Sequence, residues 1–254
     1  MPFQLRREEV LDGQELTAML GENPARAAQA ILLAAKQGIV EGQALLGQIL
    51  LDGQGIERDP VLAKRWFQIA ANTGHLMARN MLGRCWEHGW GGKVDFTLAS
   101  LEYRQAAEAG LDWAMYNYAN LLATGRGVAE DQVAALALYR QAAGLGHAKS
   151  MNLLGRYLEE GRYCSADPLA AIQWYRRSAE GGDFRGQFSY GCVLLASART
   201  EDGLLWLRRA LAVGNLNFLR VAVQTLINAQ LSGVETLVQA YQERLAELDI
   251  AATS

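Results

Sequence analysis

A repeat of 36 residues is the feature that most constrains how this chain can fold. Aspartate recurs at that spacing, and two series of glycines keep the same register. The aspartates are Asp59, Asp95, Asp131 and Asp167, and the glycines are Gly53, Gly89, Gly125 and Gly161 in one series and Gly38, Gly74, Gly110, Gly146 and Gly182 in the other. Because independent series share one period, the chain is predicted to consist of tandem copies of one structural unit.

Each copy is predicted to contain two helices, which we call the A helix and the B helix. The A helix of repeat one places small and large apolar residues at Gly42, Leu46, Gly47 and Leu50. These positions share one sector of a helical wheel, so that sector is predicted to be buried. A Gly-x-Gly turn then breaks the chain, the periodic aspartate caps the B helix, and a periodic glycine ends it.

Large aromatic residues recur in the same register. Trp66, Trp174 and Trp206 share one B-helix position, and Trp86 falls on the apolar sector of an A helix. We therefore predict that these four tryptophans belong to the core. Trp90, which lies in a turn, is predicted to be a partly exposed packing residue.

The segment LGQILLDGQGIERDPVLAKRWFQIAANTG, residues 46–74, resembles the Sel1-like repeat (SLR) family, which is related to the tetratricopeptide repeat. The resemblance covers about residues 24–214, with half a repeat followed by five repeats. It implies an all-α fold, an α/α superhelical solenoid of helix-turn-helix repeats with helical end caps, in which the A helices line the concave side. Repeat four departs from the pattern at Tyr163, where glycine is expected, and repeat five has a shortened loop.

The ends of the chain differ from the repeats, as the end units of a solenoid must. Residues 1–22 are polar with a short helical pattern and are predicted to form an N-terminal cap. The solenoid is predicted to span residues 23–214. Two amphipathic patterns within residues 215–254 predict a pair of C-terminal capping helices.

Charge and cysteine usage narrow the classes of partner and the compartment. The chain has 24 Lys and Arg residues against 27 Asp and Glu residues, a formal net charge of −3, which argues against a dedicated nucleic-acid binder. No apolar stretch reaches the length of a signal peptide or of a membrane helix, so no membrane partner is expected. Cys85, Cys164 and Cys192 form no CxxC motif and are interpreted as reduced thiols of a cytoplasmic protein.

The sequence predicts no catalytic residue, no metal and no cofactor. The nucleophile, metalloprotease and phosphate-loop motifs are absent, and Gly89-Trp90-Gly91-Gly92-Lys93 lacks the Ser or Thr that a phosphate loop needs. His75 and His147 are interpreted as turn residues. His88 follows Cys85 at zinc-ligand spacing, but no further ligands accompany the pair.

The candidate binding site lies on the side of the A helices opposite the buried sector. Seven residues on that side are predicted to form one continuous band: Asn80, Arg84, Trp113, Tyr116, Asn120, Asn152 and Arg156. Amide groups suit an extended peptide backbone, guanidinium groups suit carboxylates, and aromatic rings can seat apolar side chains. The alternative is a solvated face with local ion pairs, such as Arg156 with Glu159 or Glu160, while the true groove uses loops or the other face.

We therefore expect a non-enzymatic protein-interaction or adaptor module that binds a partner protein or an extended peptide on the concave face. One alternative is an enzyme or small-molecule binder with a polar site around Arg84, His88, Tyr116 and Arg156. Another is a structural subunit that assembles through its terminal helices. An enzyme should show a deep, closed pocket with a perturbed titrating group, whereas an adaptor should show an open groove. The sequence does not predict the oligomeric state.

Overall fold

A computed structural model describes residues 21–229 and 233–253 of the chain, and every regular element within them is an α-helix. The helices are α1 (Pro24–Lys36), α2 (Val40–Asp52), α3 (Pro60–Asn72), α4 (Leu76–His88), α5 (Phe96–Glu108), α6 (Asp112–Thr124), α7 (Gln132–Gly144), α8 (Ala148–Glu160), α9 (Pro168–Glu180), α10 (Phe184–Ala196), α11 (Thr200–Val213), α12 (Leu216–Ala229) and α13 (Glu235–Thr253). The predicted all-α class is confirmed. Helix α1 is the half repeat, and the A helices of repeats one to five are α2, α4, α6, α8 and α10.

The chain divides into two compact halves, residues 1–131 and residues 132–254. The N-terminal half contains α1 to α6, and each of these helices packs against the next one along the chain. The C-terminal half contains α7 to α13, where α8 contacts both α9 and α10. Most of the predicted N-terminal cap, residues 1–20, lies outside the described residues.

The periodic aspartates cap the B helices as predicted. Backbone N–H groups three residues further on donate to the carboxylates of Asp59, Asp95 and Asp167. Each N···Oδ1 distance is 2.9 Å. His75 and His147, which the sequence suggested were only turn residues, cap the A helices α4 and α8 through their Nδ1 atoms. Capping satisfies backbone donors that a helix start otherwise leaves unpaired.

In repeats one, two and four, a glycine of the A helix lets the aromatic side chain of the following B helix pack directly on the backbone. A Cβ atom built on Gly47 would lie 2.7 Å from the ring of Phe67. Built on Gly83 it would lie 2.6 Å from the ring of Tyr103, a distance that no real contact permits. The same contact joins α8 and α9, and all three rings are buried.

The four tryptophans predicted to be buried in the core are half-buried, so the prediction of a buried position is wrong, although Trp66, Trp86 and Trp174 pack against the core. The fully buried B-helix position is the next one along, occupied by Phe67 and Leu207 among others. A step of one residue turns the helix by about 100°, which moves Trp66 and Trp206 to the edge of the apolar sector. Cations cover the outer faces of several indoles, and the Arg209 guanidinium carbon lies 4.5 Å from the ring centre of Trp206.

Helices α12 and α13 build a second core with the end of repeat five. Leu207, Leu219 and Tyr241 are fully buried in it, and the Tyr241 hydroxyl donates to the Leu207 carbonyl over 2.7 Å. This packing places apolar surface of residues 215–254 against repeat five. The role of these helices as an end cap stays a prediction.

Tyr163 occupies the left-handed backbone region, with φ at 57°, where the equivalent turns of the earlier repeats have glycine. A side chain with a Cβ atom pays on the order of 1 kcal/mol for that conformation. Tyr163 is exposed and makes a tilted ring contact with Tyr157, with centroids 6.4 Å apart.

We predict that Tyr163→Gly raises the free energy of unfolding by up to about 1 kcal/mol, because glycine adopts this conformation without the penalty. Thermal and urea unfolding followed by circular dichroism measure the change. Ser165→Gly is the matched control, since Ser165 lies in the same turn without a positive φ. An equal gain in both variants would mean that the turn is not strained at Tyr163.

Replacing a periodic aspartate tests the capping series. Asp167→Ala is expected to lower the free energy of unfolding by about 1 kcal/mol, because the Ala170 N–H loses its acceptor. Asp167→Asn keeps an acceptor oxygen and is expected to unfold close to the wild type in the same urea titration. If both variants lose the same stability, the charge rather than the cap is what matters.

Candidate functional site

The predicted site residues are divided between the two halves of the chain. Asn80 and Arg84 lie on α4, Trp113, Tyr116 and Asn120 lie on α6, and Asn152 and Arg156 lie on α8. Trp113 and Arg156 are exposed, and Arg84 is half-buried. Asn80 and Asn152, in contrast, are only 2% and 3% exposed, so the expectation that both asparagines point away from the core is wrong. A continuous band across both halves stays a prediction.

The two buried asparagines hold neighbouring repeats together. The Asn117 Nδ2 atom donates to the Asn80 Oδ1 atom over 2.8 Å, which joins α4 to α6. The Ser189 Oγ atom donates to the Asn152 Oδ1 atom over 2.9 Å, which joins α8 to α10. Buried amides need such partners, so the recurrence of asparagine two repeats apart has a structural explanation. We call these contacts the inter-repeat hydrogen bonds.

A second recurring pair, formed by a tyrosine and a glutamate, was not predicted from the sequence. The Tyr103 hydroxyl donates to the Glu87 carboxylate, and the Tyr175 hydroxyl donates to the Glu159 carboxylate, each over 2.7 Å. Burial and the adjacent carboxylate raise the pKa of both tyrosines, which therefore stay protonated donors. The signal was available, because the pair recurs two repeats later with the same 16-residue separation. These bonds fix two carboxylates at the ends of A helices.

Arg84 is a half-buried cation without an acidic partner in the described part of the chain. Its guanidinium carbon lies 4.9 Å from the centre of the Trp90 ring, and its Nη1 atom lies 3.6 Å from the Met81 sulfur. The ring of His88 lies 4.8 Å from that of Trp90 on a tilted plane. A guanidinium stacked on an indole still presents its N–H edges to a ligand. Trp90 therefore supports a predicted binding residue.

Arg156 differs from Arg84 because it has an acidic neighbour. Its Nη2 atom lies 3.7 Å from a carboxylate oxygen of Glu160, the local pair that the alternative interpretation predicted. Both side chains are exposed, and such pairs contribute at most about 1 kcal/mol. Arg156 also lines an open pocket of about 420 Å³. Other residues of that pocket are Glu159, Tyr175, Phe188, Ser189, Cys192 and Thr225.

The enzyme alternative concerns the reactive and metal-binding groups of the described residues. Among them no group of three or more His, Cys, Asp or Glu side chains could hold a metal ion. Burial raises the pKa of Cys85 to about 11 and that of Cys192 to about 12, so both thiols are protonated at neutral pH. Within the same residues, no helix has the length and apolar content needed to cross a bilayer.

Comparison with known proteins places the chain among helical repeat proteins. The Sel1 repeat profile matches residues 40–75, 76–111, 114–147 and 148–183, which is more than half of the chain. The match ends before the shortened fifth repeat, although α10 and α11 form a helix pair there. In sequence, no curated protein matches.

Three solved structures resemble the fold. A Sel1 repeat protein from Oxalobacter formigenes is 26% identical with a TM-score of 0.76, covering 92% of this chain and 95% of that chain. A protective antigen of uropathogenic Escherichia coli with an SLR fold is 26% identical with a TM-score of 0.65. The match covers 92% of this chain and 52% of that chain. An immunity protein from Pseudomonas aeruginosa, 19% identical with a TM-score of 0.52 over 98% and 88%, shows a likeness of fold alone. The α/α superhelical repeat class is confirmed.

We predict that Asn117→Ala lowers the free energy of unfolding by about 1–3 kcal/mol, because buried Asn80 loses its donor. The control is the double variant Asn80→Ala, Asn117→Met, which copies the residues found one repeat earlier, Ala44 and Met81. It leaves no unpaired amide and is expected to recover most of the loss in chemical unfolding. Wild-type stability of the single variant would mean that the inter-repeat hydrogen bond is not stabilising.

Proposed function

Because the chain belongs to the Sel1 repeat family, we propose that it is a non-enzymatic interaction or adaptor protein that binds a partner protein or an extended peptide. Sel1 repeat proteins generally mediate protein–protein interaction. The observation that carries the proposal is the half-buried Arg84 guanidinium, which stacks on Trp90 and meets no carboxylate among the described residues. Burying a cation in part without a counter-ion has a cost, and a ligand carboxylate offsets it.

The proposed binding surface is the face of the A helices that carries the seven predicted residues. Arg84 and Arg156 would pair with carboxylates of the partner, and Trp113 and Tyr116 would seat its apolar side chains. Asn120, which is half-buried, would bond to the partner backbone. Asn80 and Asn152 would act as positioning residues, since their amides hold neighbouring A helices at a fixed separation.

The proposal has no role for a metal, a cofactor or nucleic acid. The formal net charge of −3 does not favour binding to phosphate backbones. We also propose the cytoplasmic location that cysteine usage predicts, since the thiols of Cys85 and Cys192 are unpaired and protonated. The partner is identified by affinity capture from the native cell and mass spectrometry.

Substituting the arginines tests the surface directly. With the captured partner as titrant, Arg84→Ala or Arg156→Ala is expected to weaken binding by about 1–3 kcal/mol, as charge-assisted hydrogen bonds are lost. The effect should shrink at high salt where the contact is exposed, and the melting temperature should barely move.

The matched control is Arg176→Ala, which removes one positive charge from a B helix. Arg176 is exposed and pairs with Glu180 at 2.8 Å, much as Arg156 pairs with Glu160. The control is expected to bind like the wild type. Wild-type affinity in the double variant Arg84→Ala, Arg156→Ala would show that these arginines are ordinary solvated surface and that the partner binds elsewhere.

A further inference from the structure

The contact between the first two A helices lacks the inter-repeat hydrogen bond. Ala44 on α2 and Met81 on α4 occupy the positions that Asn80 and Asn117 occupy one repeat later. An open pocket of about 360 Å³ lies at this place, lined by Ala44, Leu45, Phe67, Met77, Ala78 and Met81 among others. Met77 is 40% exposed there, so an apolar surface is open to a ligand.

A second pocket of about 380 Å³ adjoins the first and shares Gln48 and Met81 with it. Its lining includes Arg58, Arg84 and Trp90. Arg58 donates from Nε to the Leu51 carbonyl over 2.9 Å, and Arg84 stacks on Trp90. Within the described residues, neither guanidinium forms an ion pair.

The acidic residue of this second pocket is already engaged. The Asp52 carboxylate accepts a hydrogen bond from the Gln48 side-chain amide over 2.7 Å. The lining of this second pocket therefore carries two guanidinium groups against one carboxylate, and the exposed Glu41 lines the first pocket instead. Such a pocket favours an anionic group from the ligand.

We infer that the two pockets form one bipartite site for an extended peptide that carries a large apolar side chain and a carboxylate side chain. The apolar side chain enters between α2 and α4, and the carboxylate meets Arg84 and Arg58. This inference rests on the proposed function. It specifies the chemistry of the partner segment that binds the N-terminal half of this chain.

The geometry also sets the spacing of the two peptide side chains. From Ala44 to Leu51 helix α2 rises about 10 Å. An extended chain covers that length in about three residues. The acidic residue is therefore expected two to four positions away from the apolar residue.

Two equivalent places among the described residues carry different groups. Between α4 and α6 the amides of Asn80 and Asn117 occupy the place of the apolar pocket's Ala44 and Met81. At the arginine equivalent to Arg84, Arg156, the carboxylate of Glu160 is already close. The two pockets are lined by residues of the first two repeats and differ in their chemistry from these two places.

The test selects peptides from a random linear library displayed on phage against the full-length protein. Enriched peptides are synthesised with a fluorescent label and titrated by fluorescence anisotropy. We expect enrichment of Asp or Glu two to four positions from Leu, Met or Phe. Arg84→Gln should weaken their binding about tenfold or more, the loss expected for a charge-assisted contact.

A second variant closes the apolar pocket without removing charge. Ala44→Asn, Met81→Asn copies the asparagine pair of the next repeat and should weaken binding by a similar factor. Arg104→Gln is the matched charge control, because Arg104 is an exposed B-helix arginine beside Glu108. Circular dichroism and melting curves show that each variant is folded, and Arg84→Lys replaces Arg84→Gln if the latter is not.

Three outcomes would overturn the inference. The selection yields no peptide, the enriched peptides lack an acidic residue, or Arg84→Gln and the pocket-closing variant both bind them as the wild type does. If Arg156→Gln abolishes binding of the enriched peptides while Arg84→Gln does not, the inference fails and the proposed function stands. If the captured partner ignores both arginines while the peptides behave as expected, the proposed surface fails for that partner and the bipartite site is supported.

Discussion

In repeats one, two and four, an aromatic ring packed on a glycine brings the A helix and the B helix into close contact. The rings of Phe67 and Tyr103 lie so close to Gly47 and Gly83 that a Cβ atom would fall 2.6–2.7 Å from a ring carbon. Any side chain at these glycines would push the helices apart. The close approach fixes which side of these three A helices is buried.

The same contact organises the polar groups of the A helices. With the Tyr103 ring packed against Gly83, its hydroxyl reaches the Glu87 carboxylate at the end of α4. The Tyr175 ring, Gly155 and Glu159 repeat the arrangement in the C-terminal half. A buried hydroxyl requires such a partner, so packing in the core determines where a carboxylate is held at the surface.

Groups that hold the repeats together therefore share one face with groups that are available to a ligand. Asn80 and Asn152 are satisfied by neighbouring repeats, whereas Arg84 stacks on Trp90, lies near the Met81 sulfur and forms no ion pair among the described residues. Arg156 carries the same charge but has Glu160 nearby. Two arginines in the same repeat register thus differ in what they can offer to a partner, because their neighbours are not periodic.

The amino-acid pattern was sufficient to predict the period, the helix pairs and the aspartate caps. Helices and caps depend on residues a few positions apart, and the period follows from their recurrence every 36 residues. The pattern could not place Asn80 or Trp66 correctly, because a helical wheel gives an angle and not the identity of what lies there. Asn80 is buried by α6, and the indole of Trp66 ends at the edge of the core, half-buried. Arg58, Met81 and Trp90 come from different elements of the first two repeats, so only tertiary packing brings them around Arg84. Local propensity fixes each helix, while burial and pocket shape depend on the helix that arrives from another repeat.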